Sequence, residues 1–124
     1  MMVFSTSSRT AAAASARSIK RLQAYEKAGA DVLMAPGLPY LACVKAVCAA
    51  IAKPFNFMAG IPGMSFTVAE LEAAGVRRIS LAGSLYRAAT SGLVAAAREV
   101  KDKGTFGYVD TSLPSAEVAG FMRG

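Results

Sequence analysis

The sequence predicts an α/β fold built from repeated strand, loop and helix units, and three observations carry that expectation. Short apolar runs around Val32–Met34, Phe55–Met58 and Ile79–Leu81 have strand length and lie between segments with helical spacing. Each run ends at an alanine that leads into a breaker, at Ala35-Pro36-Gly37, Ala59-Gly60 and Ala82-Gly83, and those alanines recur at nearly equal intervals. Glu26-Lys27-Ala28-Gly29 precedes the first run and Glu72-Ala73-Ala74-Gly75 precedes the third, a weak internal repeat. A fixed period of this kind marks right-handed βα units whose loops share one edge of a parallel sheet.

Taken in order, residues 1–15 are rich in Ser, Thr and Ala, and no acid precedes Glu26. A transit peptide has that character, but so does a frayed leader from a truncated or mis-started reading frame, and the leader is the expectation here. A helix is expected over Ala16–Ala28, with Ile19, Leu22 and Tyr25 as a partial apolar stripe that Gly29 ends. Asp31–Ala35 is the first strand, its continuous apolar run suiting a strand covered on both faces. Pro36-Gly37 opens a loop, and Pro39 starts a helix to about Ala52 whose Leu41, Val44, Val47, Cys48 and Ile51 share a side.

The central stretch is Lys53–Gly63, a buried strand running into a glycine-hinged loop. Side chains alternate along a strand, so Phe55 and Phe57 face one way while Asn56 and Met58 face the other. A buried amide without a partner costs about 1–3 kcal/mol, so Asn56 must bond to neighbouring protein, to water or to a ligand. Gly60, Pro62 and Gly63 allow close backbone approach, and the amides near Ser65 and Thr67 could hold an anion. Thr67 with Glu70 has the capping-box spacing that starts a short helix, which Gly75 closes. Arg78–Ala82 is the third strand, and a longer helix follows from about Leu85 to Lys103. The tail, residues 109–124, holds one further short helix after Pro114.

Composition excludes several classes. The chain has 124 residues, enough for one domain, and is 54% hydrophobic, yet no apolar run approaches the roughly 20 residues that span a bilayer. Its net charge of +6 is scattered from Arg9 to Arg123 and is not interleaved with stacking aromatics, so neither nucleic acid nor membrane is an expected partner. The lack of histidine removes the commonest general base and metal ligand. Cys43 and Cys48 lack the spacing of a zinc or redox pair and read as small packed residues in a reducing, cytoplasmic compartment.

Two architectures fit the repeat, a segment of a (β/α)8 barrel and a small open doubly wound sheet. Three or four βα units cannot close an eight-stranded barrel, whereas an open sheet should carry a nucleotide fingerprint that is missing here. The residues RLQAYEKAGADVLMAPGL, KPFNFMAG, ELEAAGVRRISLAGSLYRAA and the GTF at Gly104–Phe106 settle on a resemblance. Over about residues 18–108 the chain resembles the C-terminal part of the isocitrate lyase and phosphoenolpyruvate mutase superfamily, closest to its small bacterial 2-methylisocitrate-lyase-like branch.

That resemblance implies an α/β fold that is the C-terminal portion of a (β/α)8 TIM barrel, about strands six to eight with their helices, over residues 16–108. It implies Mg2+-dependent lyase or mutase chemistry, making or breaking C–C or P–C bonds in a small carboxylic or oxo-acid substrate. It also implies a homo-oligomer assembled through the last barrel helix. The metal-binding and catalytic half of the family pattern has no counterpart here, so the chain alone is expected to hold no Mg2+, to carry no catalytic residue and to be inactive. Neither Cys43 nor Cys48 matches the family's catalytic cysteine. The residues carried over to substrate binding are Asn56, at the family's polar strand-seven position, and Gly60. The lyases have a glutamate at the end of strand six where this chain has Pro36, which argues against methylisocitrate or isocitrate cleavage. The alternatives are a non-catalytic fragment or assembly module and, more distantly, an anion-binding α/β module.

Overall fold

The computed structural model describes residues 6–64 and 66–123, with side chains from Ser15 onward. The chain divides into two compact units, one ending at Ser84 and the other beginning at Leu85. The first holds α1 (Thr6–Lys27), β1 (Leu33–Met34), α2 (Leu41–Ala50), β2 (Phe55–Met58), α3 (Val68–Ala73) and β3 (Arg78–Ser80). Its three strands form a parallel sheet in the order β1-β2-β3, the α/β arrangement of part of a (β/α)8 barrel.

The expected strand and helix types all form, several of them with shorter bounds. β1 and β3 lose the outer residues of Asp31–Ala35 and Arg78–Ala82, and α2 fills the middle of its expected span. α1 is longer than its apolar stripe predicts, starting at Thr6 rather than Ala16. The Ala11–Ala14 run explains the extension, since alanine has the highest helix propensity and needs no apolar stripe to continue a helix. Most of the stretch expected as a frayed leader therefore has a helical backbone, while residues 1–5 lie outside those described.

The Glu-Xaa-Ala-Gly repeat is a pair of matching helix ends. After α3, Gly75 N–H donates to Glu72 O at 2.9 Å and Val76 N–H to Leu71 O at 3.0 Å, with Gly75 at φ +96. This is a Schellman closure, whose left-handed residue glycine adopts without a Cβ penalty. α1 ends the same way, with Gly29 N–H on Glu26 O and Ala30 N–H on Tyr25 O. The Thr67–Glu70 capping box forms as expected, the Thr67 N–H reaching Glu70 Oε2 at 2.8 Å and the Glu70 N–H reaching Thr67 Oγ1 at 3.2 Å. The Thr67 N–H and hydroxyl together hold the Glu70 carboxyl below the usual carboxylate range.

α1 also fixes the link into the central strand. Glu26 Oε1 accepts the N–H groups of Ala52 and Lys53 at 2.9 and 2.7 Å, and Gln23 Nε2 donates to Ala50 O at 2.9 Å. These bonds occupy backbone groups that the end of α2 leaves without helical partners. Behind them, Leu22, Leu33, Val44, Val47, Phe55, Phe57, Leu71 and Ala74 form the core, so the three helices pack on the face of the sheet that carries Phe55 and Phe57. Burying each large side chain contributes about 1.5–3 kcal/mol relative to leaving it in water.

The second unit contains α4 (Ser84–Lys103, from Leu85 on), the expected α6 (Ser115–Phe121) and α5 (Tyr108–Thr111), which the sequence reading misses. α5 has only four residues, too few for a periodic pattern, and a distant carboxylate secures its start. Glu99 Oε1 accepts from Thr105 Oγ1 at 2.8 Å and Gly107 N at 2.6 Å, and its Oε2 accepts from Tyr108 N at 3.1 Å. The Thr105 hydroxyl, then the Gly107 N–H, hold the Glu99 carboxyl below its ordinary range. No side chain of α4, α5 or α6 is buried.

Candidate active site on the sheet face opposite the core

Parallel strands ordinarily have both faces covered. Here α1, α2 and α3 of the same unit cover one face, and the alternation that turns Leu33, Phe55, Phe57 and Ile79 toward them turns Met34, Asn56, Met58, Arg78 and Ser80 the other way. The register aligns Met34, Asn56 and Arg78 in one row across the three strands and Met58 with Ser80 in the next. Met34 is half exposed and Arg78 exposed, yet Asn56 between them is only 2% exposed.

The amide expected to need a partner has three. Asn56 Nδ2 donates to Ser80 Oγ at 2.9 Å and to Met34 Sδ at 3.2 Å, while Arg78 Nη1 donates to Asn56 Oδ1 at 3.0 Å. Asn56 is thus tied to both flanking strands as a scaffold amide would be, and it stands on the face opposite the α1, α2 and α3 core of its unit. Arg78 and Ser80 are the residues sequence reasoning missed. Their signal was the same period-two alternation, which places both on the Asn56 side once β3 is registered against β2.

Gly60 lies two residues beyond β2, at the sheet edge where the strands' carboxyl ends open into loops, the usual ligand edge of α/β sheets. With φ +107 it brings its backbone against the β3–α4 loop, so closely that a Cβ there would lie 2.9 Å from Leu81 O and 3.1 Å from Ser84 Cβ. The Ala59 N–H on Ser80 O at 2.8 Å continues the ladder into this junction. Ala82 in the same loop has φ 48, a left-handed conformation that costs a non-glycine residue about 1–2 kcal/mol.

The expected anion cradle after Gly63 does not form around Thr67, because both its N–H and its hydroxyl donate to Glu70. Ser65 lies outside the described residues. Cys43 packs in the core, and Cys48 sits half-buried beside Gly75 with its thiol pushed up by burial, the reverse of an activated nucleophile. Among the described residues, no three His, Cys, Asp or Glu side chains group closely enough to hold a metal ion. The described residues do not fit Mg2+.

The family model for phosphoenolpyruvate phosphomutase matches residues 3–101. The match reaches well upstream of Ser18, where the resemblance had been expected to stop, and takes in most of the stretch read as a leader. Among solved structures, a lyase/mutase-type protein from Burkholderia cenocepacia J2315 is 36% identical with a TM-score of 0.82, over 89% of this chain and 40% of that one. An oxaloacetate acetylhydrolase, solved with the inhibitor 3,3-difluorooxalacetate, is 28% identical with a TM-score of 0.71, over 86% of this chain and 37% of that one. A 2,3-dimethylmalate lyase of the phosphoenolpyruvate mutase and isocitrate lyase superfamily is 26% identical with a TM-score of 0.63, over 73% of this chain and 33% of that one. The chain spans less than half the length of each. No curated protein matches it by sequence.

Proposed function

Because the chain belongs to the phosphoenolpyruvate mutase family, within the isocitrate lyase superfamily, we propose that the sheet face opposite the α1, α2 and α3 core is the substrate-facing wall of a lyase or mutase site. The substrate class is a small carboxylic or oxo-acid that passes through an enolate as a C–C or P–C bond breaks or forms. The observation that carries this reading is a buried, bonded amide, Asn56, on the sheet face opposite the α1, α2 and α3 core, beside the Gly60 loop at the ligand edge. In this reading both residues line the substrate side. A Mg2+ ion, when bound, would steady the enolate's negative charge. Its acidic ligands would come from outside the described residues, and in this reading the chain alone is inactive.

The test uses oxalate, the product seen in one acetylhydrolase structure and a mimic of an enolate of this class. Oxalate is expected to shift the Asn56 side-chain and Gly60 backbone resonances of the full chain, with no metal-dependent turnover of oxo-acids above blank. Turnover by the purified chain would overturn its inactivity, and a folded chain that does not bind oxalate would overturn the site.

The second reading, an assembly module, has its own support in α4. Tyr86, Leu93 and Val100 recur every seven residues on one side of that helix, and all three are exposed, Tyr86 at 75% and Leu93 at 70%. An apolar stripe of this kind suits contact with a second copy of the chain. Light scattering should then give a mass above the 12.8 kDa of one chain, and Leu93→Glu should return it toward that value. A stable monomer before the substitution would rule the module out. Among the described residues no helix is long and apolar enough to cross a membrane. A cytoplasmic site of action belongs to the proposal and rests on the two free cysteines.

A further inference from the structure

We propose that Arg78, with the Ser80 hydroxyl beside it, is the group that binds substrate carboxylate on this face, and that Asn56 acts behind them as a positioning residue. This deepens the reading above and rests on it. Both N–H groups of the Asn56 amide are already committed, to Ser80 Oγ and Met34 Sδ, and its oxygen already accepts from Arg78. At 2% exposure it has little left to offer a ligand. Its partners do. Ser80 Oγ accepts from the amide, which leaves the hydroxyl proton free to donate elsewhere.

Arg78 is exposed and carries five N–H donors in a planar fork, of which one is bound to Asn56. Among the described residues it makes no ion pair, so its charge has no anionic partner. Two acids of the same unit are engaged elsewhere, Glu26 on the Ala52 and Lys53 N–H groups and Glu70 on Thr67. A guanidinium oriented by an amide, with a hydroxyl donor nearby, suits a compact carboxylate held by two parallel hydrogen bonds. Met34 at the other end of the row has only a weak acceptor, so polarity is concentrated at the β2–β3 side.

The experiment titrates the full chain with oxalate, using inorganic phosphate as the comparison anion, and follows the Arg78 Nε–H and Asn56 side-chain signals by nitrogen-15 NMR. Arg78→Gln is expected to lower oxalate affinity about tenfold or more, the effect of losing hydrogen bonds to a charged group. Arg78→Lys keeps the charge without the fork and should recover only part of the loss, while both variants still unfold cooperatively, with no more than the modest loss expected when Asn56 Oδ1 gives up its donor. Asn56→Ala should also weaken oxalate, but not further once Arg78 is Gln, because a positioning residue acts through the group it orients. Parent-like affinity in Arg78→Gln, with Asn56 and Gly60 still shifting, would overturn the Arg78 assignment and leave the site standing. Phosphate bound as tightly as oxalate would also overturn it, as a bare cationic patch. A folded chain that binds no oxalate at all would remove the site and this inference together.

Discussion

Phe57→Ala is expected to destabilise the first unit by about 3–5 kcal/mol, the usual cost of truncating a buried aromatic ring. The ring is 4% exposed and meets Phe66 at a centroid separation of 5.7 Å and an interplanar angle of 59°. Its removal leaves a cavity bounded by sheet and helices, which close packing lets relax only in part. Small domains have a total stability of about 5–15 kcal/mol, so the variant should lose much of its folded population in mild denaturant. Urea unfolding followed by circular dichroism measures the shift. Val32→Ala is the matched control, since Val32 is half exposed and should change stability by no more than about 0.5 kcal/mol. Equal effects at the two positions would mean that the helices do not pack on the Phe57 face.

Gly60→Ala is expected to act through two separate costs. At φ +107 an alanine is strained by about 1–3 kcal/mol whatever space surrounds it. Its Cβ would also press on Leu81 O, a backbone atom that cannot rotate away, and overpacking of that kind costs about 1–3 kcal/mol more. Gly37→Ala separates the two, because Gly37 has φ +80 and a Cβ there meets nothing within 4 Å. The excess of Gly60→Ala over Gly37→Ala in thermal unfolding reports the contact between the β2 and β3 loops. Indistinguishable melts would show that the two loops do not bear on each other. If the contact holds, relief must come from shifting the Leu81–Ser84 loop, and oxalate binding should weaken together with stability.

Much of this chain is determined by short-range chemistry that a sequence states directly. Thr67 with Glu70, and Gly29 and Gly75 after their Glu-Xaa-Ala steps, set helix ends through bonds spanning only a few residues. The apolar runs select strands, and their alternation separates Phe55 and Phe57 from Asn56 without any knowledge of partners. Family membership was legible for the same reason, since it rests on the order of such segments along the chain.

What the tertiary structure decided depends on groups distant in sequence. Glu26 capping Ala52 and Lys53, and Glu99 gathering Thr105, Gly107 and Tyr108, join residues that no local pattern links. The site shows the division most clearly. Period two placed Asn56 away from the phenylalanines, but only the register of β2 against β3 set Arg78 and Ser80 beside it and showed its amide already bonded. Parallel pairing fixes which residue of one strand lies next to which residue of another, and a shift by one residue would turn Arg78 and Ser80 to the helical face. Sequence determined that a polar group stands on this face; the pairing of strands decided which side chains it holds in place.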